Sequence, residues 1–135
     1  LNTKQLWPPN SVSGGPNQRR LIVRWTGIST DSSDAADSQL VDKSGLTGPN
    51  GTEPTSLVIE QVEWSINGYA AVIVEWDDGT DEEALRLSGA GFKDYRESGG
   101  LYSDGTSGTG DLYVTTLAGA ENSSFDLWMS LRLKA

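Results

Sequence analysis

Apolar and polar residues alternate along several short stretches of the chain, and this period of two predicts β-strands with one buried face. In residues 19–26, Leu21, Val23 and Trp25 share one face. The stretch 125–133 alternates in the same way, with an apolar residue at every odd position. The strands predicted from these patterns cover residues 19–26, 39–41, 57–66, 71–76, 84–87, 112–117 and 125–133.

The stretches 57–66 and 71–76 form the clearest pair, because Asn67-Gly68 lies between them. Asn-Gly between alternating apolar runs is a strong signal for a two-residue β-hairpin turn. We therefore expect these two strands to pair with each other. Glu60 falls on the apolar face of the first strand, which predicts a β-bulge or an edge position there.

No stretch has the 3.6-residue period of an amphipathic helix, and the 16 glycines favour a turn-rich chain. Several strands with turn signals between them predict an all-β domain over residues 19–135, either a single antiparallel β-sandwich or a flattened barrel. The predicted core residues are Val23, Trp25, Val62, Trp64, Val74, Trp76, Leu127, Met129 and Leu131.

Two long segments, residues 27–55 and 88–110, are predicted to be mostly loop. A long connection inside a small domain is usually functional or packed against a partner. The second segment carries four large side chains that we expect to attach it to the core. They are Phe92, Tyr95, Leu101 and Tyr102.

Residues 1–18 are predicted to form an extended N-terminal arm. Pro8 and Pro9 disfavour a helix or a central strand in this segment. Leu6 and Trp7 precede them, and such large apolar side chains are uncommon in a disordered tail. We therefore expect the arm to be ordered by docking, either on a partner or back onto its own domain.

Five tryptophans are present, and Trp128 is the one that the alternation places on the polar face of the last strand. A tryptophan at a position predicted to face solvent often marks a contact surface. The alternative is that Trp128 packs under the 88–110 loop. The candidate partner-binding residues are therefore Leu6, Trp7, Pro8, Pro9 and Trp128.

The net charge of -9, from 19 acidic and 10 basic residues, argues against nucleic acid or an anionic membrane as the partner. The chain has no cysteine and no histidine. This excludes disulfides, thiolate nucleophiles and a Ser-His-Asp mechanism. No apolar run approaches the roughly 18 residues that a membrane-spanning helix needs.

Two groups of carboxylates could carry chemistry. Glu60 and Glu75 lie on predicted neighbouring strands and could form a glycosidase-like pair, although 19 acidic residues also produce pairs by chance. The acidic cluster 77–83 could bind calcium or form a solvated turn, and its spacing does not match an EF-hand loop. We therefore predict that the protein is not an enzyme and has no cofactor or metal site.

Residues 19–134 as a whole resemble small virion structural proteins encoded by tailed bacteriophages. The segments that carry the resemblance are Val62-Glu63-Trp64-Ser65-Ile66, Val74-Glu75-Trp76-Asp77, Leu85-Arg86-Leu87-Ser88-Gly89-Ala90-Gly91, Gly99-Gly100-Leu101, Thr109-Gly110-Asp111-Leu112 and the final strand ending at Lys134.

The resemblance implies a protein that decorates or cements the capsid on its outer surface. The implied partners are the major capsid protein or other virion proteins, and the implied form is a homo-oligomer. The resemblance carries over no functional residues. The alternatives are a phage tail, baseplate or head-fibre component, a carbohydrate-binding β-sandwich module that uses exposed aromatic side chains, and a carboxylate-dependent hydrolase.

Overall fold

The computed structural model describes residues 2–7, 19–29, 38–77, 80–103 and 108–134. These residues form nine β-strands and two short 3-10 turns, and they contain no α-helix. The strands are β1 (Asn2–Trp7), β2 (Arg20–Ile28), β3 (Ser38–Val41), β4 (Leu57–Asn67), β5 (Ala71–Trp76), β6 (Glu82–Leu87), β7 (Ala90–Asp94), β8 (Leu112–Leu117) and β9 (Ser124–Leu133).

The strands are arranged in two antiparallel sheets that pack face to face. The five-stranded sheet has the order β1-β2-β9-β4-β7, and the four-stranded sheet has the order β3-β8-β5-β6. Their inner faces share one hydrophobic core. Each sheet ends in two edge strands, so the architecture is a β-sandwich and not a closed barrel. The predicted all-β sandwich is confirmed.

The core follows from the alternation in the sequence. Leu112 and Val114 on β8 are buried while Tyr113 between them is half-exposed, and β2 and β9 show the same pattern. Eight of the nine predicted core residues are buried, namely Val23, Trp25, Val62, Val74, Trp76, Leu127, Met129 and Leu131.

Trp64 is the exception, because it is half-buried. Its register partner on the edge strand β7 is Gly91, which has no side chain to cover the indole. The indole Nε1 instead donates a hydrogen bond to the carbonyl oxygen of Ser88 at 2.9 Å. The prediction that Trp64 is a core residue was therefore wrong, because Trp64 lies next to an edge strand and is only partly covered.

The bulge predicted at Glu60 is confirmed. The β4–β9 ladder runs in step up to Ile59 opposite Leu131, and resumes with Gln61 opposite Ser130. Glu60 is therefore an extra residue on β4, and it is 6% exposed. The bulge lets β4 carry a carboxylate at a point where strict alternation requires an apolar side chain.

The predicted β4–β5 hairpin is wrong, because β4 lies in the five-stranded sheet and β5 in the four-stranded sheet. A two-residue Asn-Gly turn needs positive φ at both residues. Gly68 has φ +91, but Asn67 is not among the residues with positive φ. Residues 68–70 instead carry the chain from one sheet to the other, and Tyr69 packs edge-on against Phe125 at 5.9 Å.

The segment 88–110 contains a strand that the sequence pattern did not predict. Residues 90–94 form β7, which pairs with β4. Tyr95 and Leu101 pack against the core as expected. Phe92 and Tyr102 do not, because they are 58% and 55% exposed, so that part of the prediction was wrong.

The predicted arm contains a strand at its start. Residues 2–7 form β1, which adds to the edge of the five-stranded sheet by antiparallel pairing with β2. An edge position for β1 is compatible with a sequence that continues into two prolines, because sheet edges tolerate proline. Pro8, Pro9 and the remaining predicted arm residues lie outside the described part of the chain.

Candidate functional site: the outer face of the five-stranded sheet

The outer face of the five-stranded sheet carries exposed large apolar side chains. Ile22 on β2, Trp128 on β9 and Phe92 on β7 are 42%, 38% and 58% exposed. The strand register places Trp128 between Arg24 and Glu63, and Phe92 opposite Glu63 on the other side. We call Ile22, Phe92 and Trp128 the outer-face patch. It crosses four neighbouring strands, from β2 to β7.

Arg24 holds the indole of Trp128 in place. Its guanidinium carbon lies 5.1 Å from the ring centroid of Trp128, which is a cation–π distance. The same guanidinium donates two hydrogen bonds to Asp126, from Nε at 3.2 Å and from Nη2 at 2.9 Å. These bonds raise the pKa of Arg24 above its ordinary value. A bidentate pair fixes the plane of the guanidinium, and therefore orients the ring beneath it.

Trp128 stands between two shallow depressions. The larger one, of about 140 Å³, is bounded by Ile22, Phe92 and Trp128. The smaller one, of about 110 Å³, lies between Trp128 and Trp64. Glu63 lines both depressions. The patch therefore consists of protruding apolar side chains with one carboxylate between them. Its depressions are too shallow to enclose a small molecule.

At the β7 edge of this face, Asp94, Arg96 and Gln61 form a hydrogen-bonded group that we call the clasp. Arg96 donates to Asp94 from Nε at 3.0 Å and from Nη2 at 2.7 Å, and Gln61 on β4 donates to the same carboxylate at 3.2 Å. The hydrogen bond from Arg96 is the main reason that the pKa of Asp94 lies far below its ordinary value. The clasp joins β7 to β4 on the side of the patch.

The structure places the predicted partner-binding residues in two groups. Trp128 lies in the patch and is exposed, whereas the alternative would have covered it with the 88–110 segment. Leu6 and Trp7 lie on β1 at the register positions opposite Val23 and Ile22. β1 therefore ends beside Ile22, at one border of the patch.

Two members of the patch were not among the candidate residues from the sequence. Ile22 lies between Leu21 and Val23, so the alternation places it on the face opposite the core, and this is the signal that the sequence offers. Phe92 could not be recognised from the sequence, because its exposure depends on β7 pairing with a strand almost thirty residues earlier.

The candidate carboxylate pair is not assembled. Glu60 and Glu75 lie on β4 and β5, which belong to different sheets, so the expected neighbouring strands are not neighbours. Glu60 pairs with Arg20 and Arg132, and Glu75 accepts a hydrogen bond from Thr115 at 2.7 Å. Both carboxylates therefore have structural partners.

The acidic cluster 77–83 is partly engaged in the fold. Asp77 accepts hydrogen bonds from the backbone N–H and the hydroxyl of Thr109 at 3.2 and 2.6 Å. Glu83 pairs with Arg86 at 2.8 Å. Within the described ranges, no three acidic residues come together as a metal site. No described helix has the length and apolar character needed to cross a membrane.

Comparison with known proteins identifies no relatives. No family model matches the chain, and neither a curated protein nor a solved structure matches it.

Proposed function

We propose that this chain is a structural protein of a tailed-bacteriophage virion that decorates the capsid and binds the major capsid subunits on their outer surface. The observation that carries the proposal is the outer-face patch. Exposed aromatic side chains on a rigid sheet, with polar residues around them, are typical of a protein-binding surface. The resemblance of residues 19–134 to small virion proteins supplies the partner.

The patch is prepared for binding because its central side chain is already ordered. Arg24 lies over Trp128 and is itself fixed by Asp126. Binding therefore loses little side-chain entropy at this point. Tryptophan and arginine are also the residue types that most often dominate the affinity of protein interfaces.

The proposed action is stabilisation by binding. A protein that binds the assembled shell and not the free subunits shifts the equilibrium towards the shell. A shell presents the same surface many times, so we propose that the protein acts in many copies and forms a homo-oligomer around a symmetry axis. No catalytic step is part of this function.

We include the arm in the proposed interface. Trp7 is paired with Ile22, a member of the patch, so β1 ends at the border of the patch. We propose that Leu6 and Trp7 extend the bound surface across β1, and that Pro8 and Pro9 continue it. An extended segment adds contact area with few residues.

A carbohydrate-binding module is a second candidate, and the exposure of both Trp128 and Phe92 favours it. Two aromatic side chains on one face, separated by one strand, could contact successive sugar rings. The guanidinium of Arg24 lies over the ring of Trp128, however, and leaves less of that ring available for stacking. For this reason we favour a protein partner over a glycan.

The test uses particles of the phage that encodes the chain, prepared without this protein. Purified protein is added, and its occupancy on the particles is measured by co-sedimentation and by electron microscopy. We expect saturable binding on the outer shell. Truncation of Trp128 to alanine should weaken binding by about 2 kcal/mol or more, which is the threshold for a dominant interface residue.

Tyr113→Ala is the matched control, because Tyr113 is an aromatic residue on the outer face of the opposite sheet. It should leave occupancy unchanged. Absence of binding to the shell, or equal loss in both variants, would overturn the proposal. Binding to tail structures would support the alternative of a tail or fibre component. Binding of a glycan that is lost in the Trp128→Ala variant would support the carbohydrate-binding module.

A further inference from the structure

A basic depression lies at one end of the five-stranded sheet. It has a volume of about 440 Å³, and its lining includes Arg19, Arg20, Arg132 and Lys134, together with Pro49 and Asn50. These four basic residues are among only 10 in a chain with a net charge of -9. Such a concentration of positive charge is unusual in a protein this acidic.

The strand register brings two of these charges directly together. Arg20 on β2 is the cross-strand partner of Arg132 on β9. Like charges in opposite positions destabilise a sheet. Glu60 offsets this repulsion from the β4 bulge, because it forms an ion pair with Arg20 and lies 3.5 Å from Nε of Arg132. One carboxylate thus serves two guanidinium groups, and the group as a whole remains positive.

Backbone hydrogen bonds fix the positions of Arg19, Leu133 and Lys134 in the lining of the depression. The backbone N–H of Leu133 donates to the carbonyl of Arg19 at 2.8 Å, and that of Lys134 donates to Ser56 at 3.0 Å. The Lys134 ammonium lies 5.0 Å from the ring centroid of Tyr102. The side chain of Arg19 makes no ion pair with any described residue. Walls fixed by backbone hydrogen bonds, and a guanidinium without an ion pair among the described residues, are suited to a ligand with negative charge.

The chemistry of the depression favours a carboxylate. A guanidinium binds a planar carboxylate through two parallel hydrogen bonds, and two residues of the lining, Arg20 and Arg132, already hold the carboxylate of Glu60 between them. A nucleic acid backbone would extend beyond the depression and meet the negative charge of the remaining surface. A short acidic segment of a protein would not.

We propose that this depression binds an acidic protein segment, with Arg19 and Lys134 contacting its carboxylates and Arg20 and Arg132 positioned by Glu60. The depression adjoins the outer-face patch, since Arg20 and Arg132 lie two residues from Ile22 and Ser130 along β2 and β9. One partner could therefore contact both. The inference does not depend on that partner belonging to a capsid.

The experiment measures binding of a hexaglutamate peptide to the isolated protein by calorimetry and by NMR chemical-shift mapping at low salt. A hexaglutamine peptide is the uncharged control. We expect binding of the glutamate peptide only, with shifts at Arg19, Asn50 and Lys134. Raising the salt concentration to about 0.5 M should abolish it, because exposed charges are then screened within a few ångströms.

Arg19→Glu combined with Lys134→Glu should weaken peptide binding by about tenfold, since each reversal replaces an attraction of exposed charges by a repulsion. Lys93→Glu is compared with each single reversal, Arg19→Glu or Lys134→Glu, because it makes the same charge change on β7, away from the depression. If the double variant unfolds, the milder pair Arg19→Gln and Lys134→Gln is tested in its place, with the same direction expected.

Equal weakening by Lys93→Glu would overturn the proposal, because the effect would then be one of net charge. Failure of the peptide to bind at low salt would also overturn it. So would tighter binding of inorganic phosphate or of a short duplex oligonucleotide, because phosphate would then be the preferred ligand. These outcomes are independent of whether the protein binds phage particles.

Discussion

Two glutamates on β4 have different roles, one in the stability of the fold and one at the exposed patch, and the sequence pattern does not distinguish them. Glu60 is buried and stabilises a pair of arginines, whereas Glu63, three residues further along the same strand, is exposed and lines the patch. Their chemical groups are identical. The difference is made by the bulge, which places one carboxylate between Arg20 and Arg132.

Replacement of Glu60 by glutamine should destabilise the fold. The amide cannot neutralise the facing guanidinium groups of Arg20 and Arg132, and we expect a loss of about 1–2 kcal/mol, reduced from the value for a fully buried pair because the arginines are partly exposed. Chemical denaturation measures the effect. Glu63→Gln, on the exposed face, should change stability by less than about 0.5 kcal/mol. Equal effects of the two substitutions would contradict the role given to Glu60.

The clasp at Asp94 has a defined pH dependence. Its pKa is lowered in the folded protein, mainly by the hydrogen bond from Arg96. A lowered folded-state pKa means that the stabilisation is present above the unfolded value, about 3.9, and is lost as the pH falls towards the folded value. NMR titration of the carboxyl carbon should show a midpoint below that of an ordinary aspartate. Arg96→Gln should return the midpoint towards the ordinary value, and no change would contradict the assignment.

At the scale of elements, the connection between β4 and β5 differs from the predicted hairpin, because it joins the two sheets. The strands themselves could be predicted, because alternation identifies a buried face whichever sheet a strand joins. Their pairing could not, since Asn67-Gly68 is equally compatible with a connection between sheets. What decides between the two is the contact of residues 68–70 with the β9 end, including Tyr69 against Phe125.

The predictability of the candidate site follows the same division. Trp128 could be assigned to the outer face from the alternation of β9 alone. Phe92 and the basic depression could not, because each depends on strands that are distant in sequence and adjacent in the sheet. Arg20 and Arg132 are more than a hundred residues apart, yet directly opposed. No local pattern contains that information.

The connection between sheets predicts a specific sensitivity at Gly68. Its φ of +91 disfavours any side chain, and a Cβ would lie 2.5 Å from Oγ of Ser123. Gly68→Ala should therefore cost roughly 2–4 kcal/mol, from backbone strain and overpacking together. Gly89→Ala is the control, since φ is +61 there and nothing lies within 4 Å of the added carbon.

For Gly89→Ala we expect about 1 kcal/mol, which represents the cost of the backbone conformation alone. Thermal and chemical unfolding of both variants measure the difference. If the two substitutions cost the same, Ser123 does not restrict the connection.

At the scale of the whole molecule, β1 and the sandwich differ in how much each contributes to folding. Among the residues whose burial the structure describes, the core cluster is formed by residues from β2 onwards. β1 adds only to the edge at β2. Its contribution is to cover a row of backbone groups that would otherwise be available to another chain.

Deletion of residues 1–18 should therefore leave a cooperatively folding domain with greater self-association. Circular dichroism during heating measures the first property, and sedimentation velocity measures the second. We expect a cooperative transition at a lower temperature and larger species than in the full chain. Loss of the cooperative transition would show that the arm is part of the folding unit.

The central position of β9 has a consequence for how the protein is made. β9 lies between β2 and β4 and is synthesised after both of them. During translation the ribosome therefore releases these two strands before the strand that joins them exists. The five-stranded sheet can assemble only after β9 has emerged, and contacts so distant in sequence form slowly. A nascent chain stalled before Ser124 should remain sensitive to protease, and the exposed strands would then be clients for chaperones.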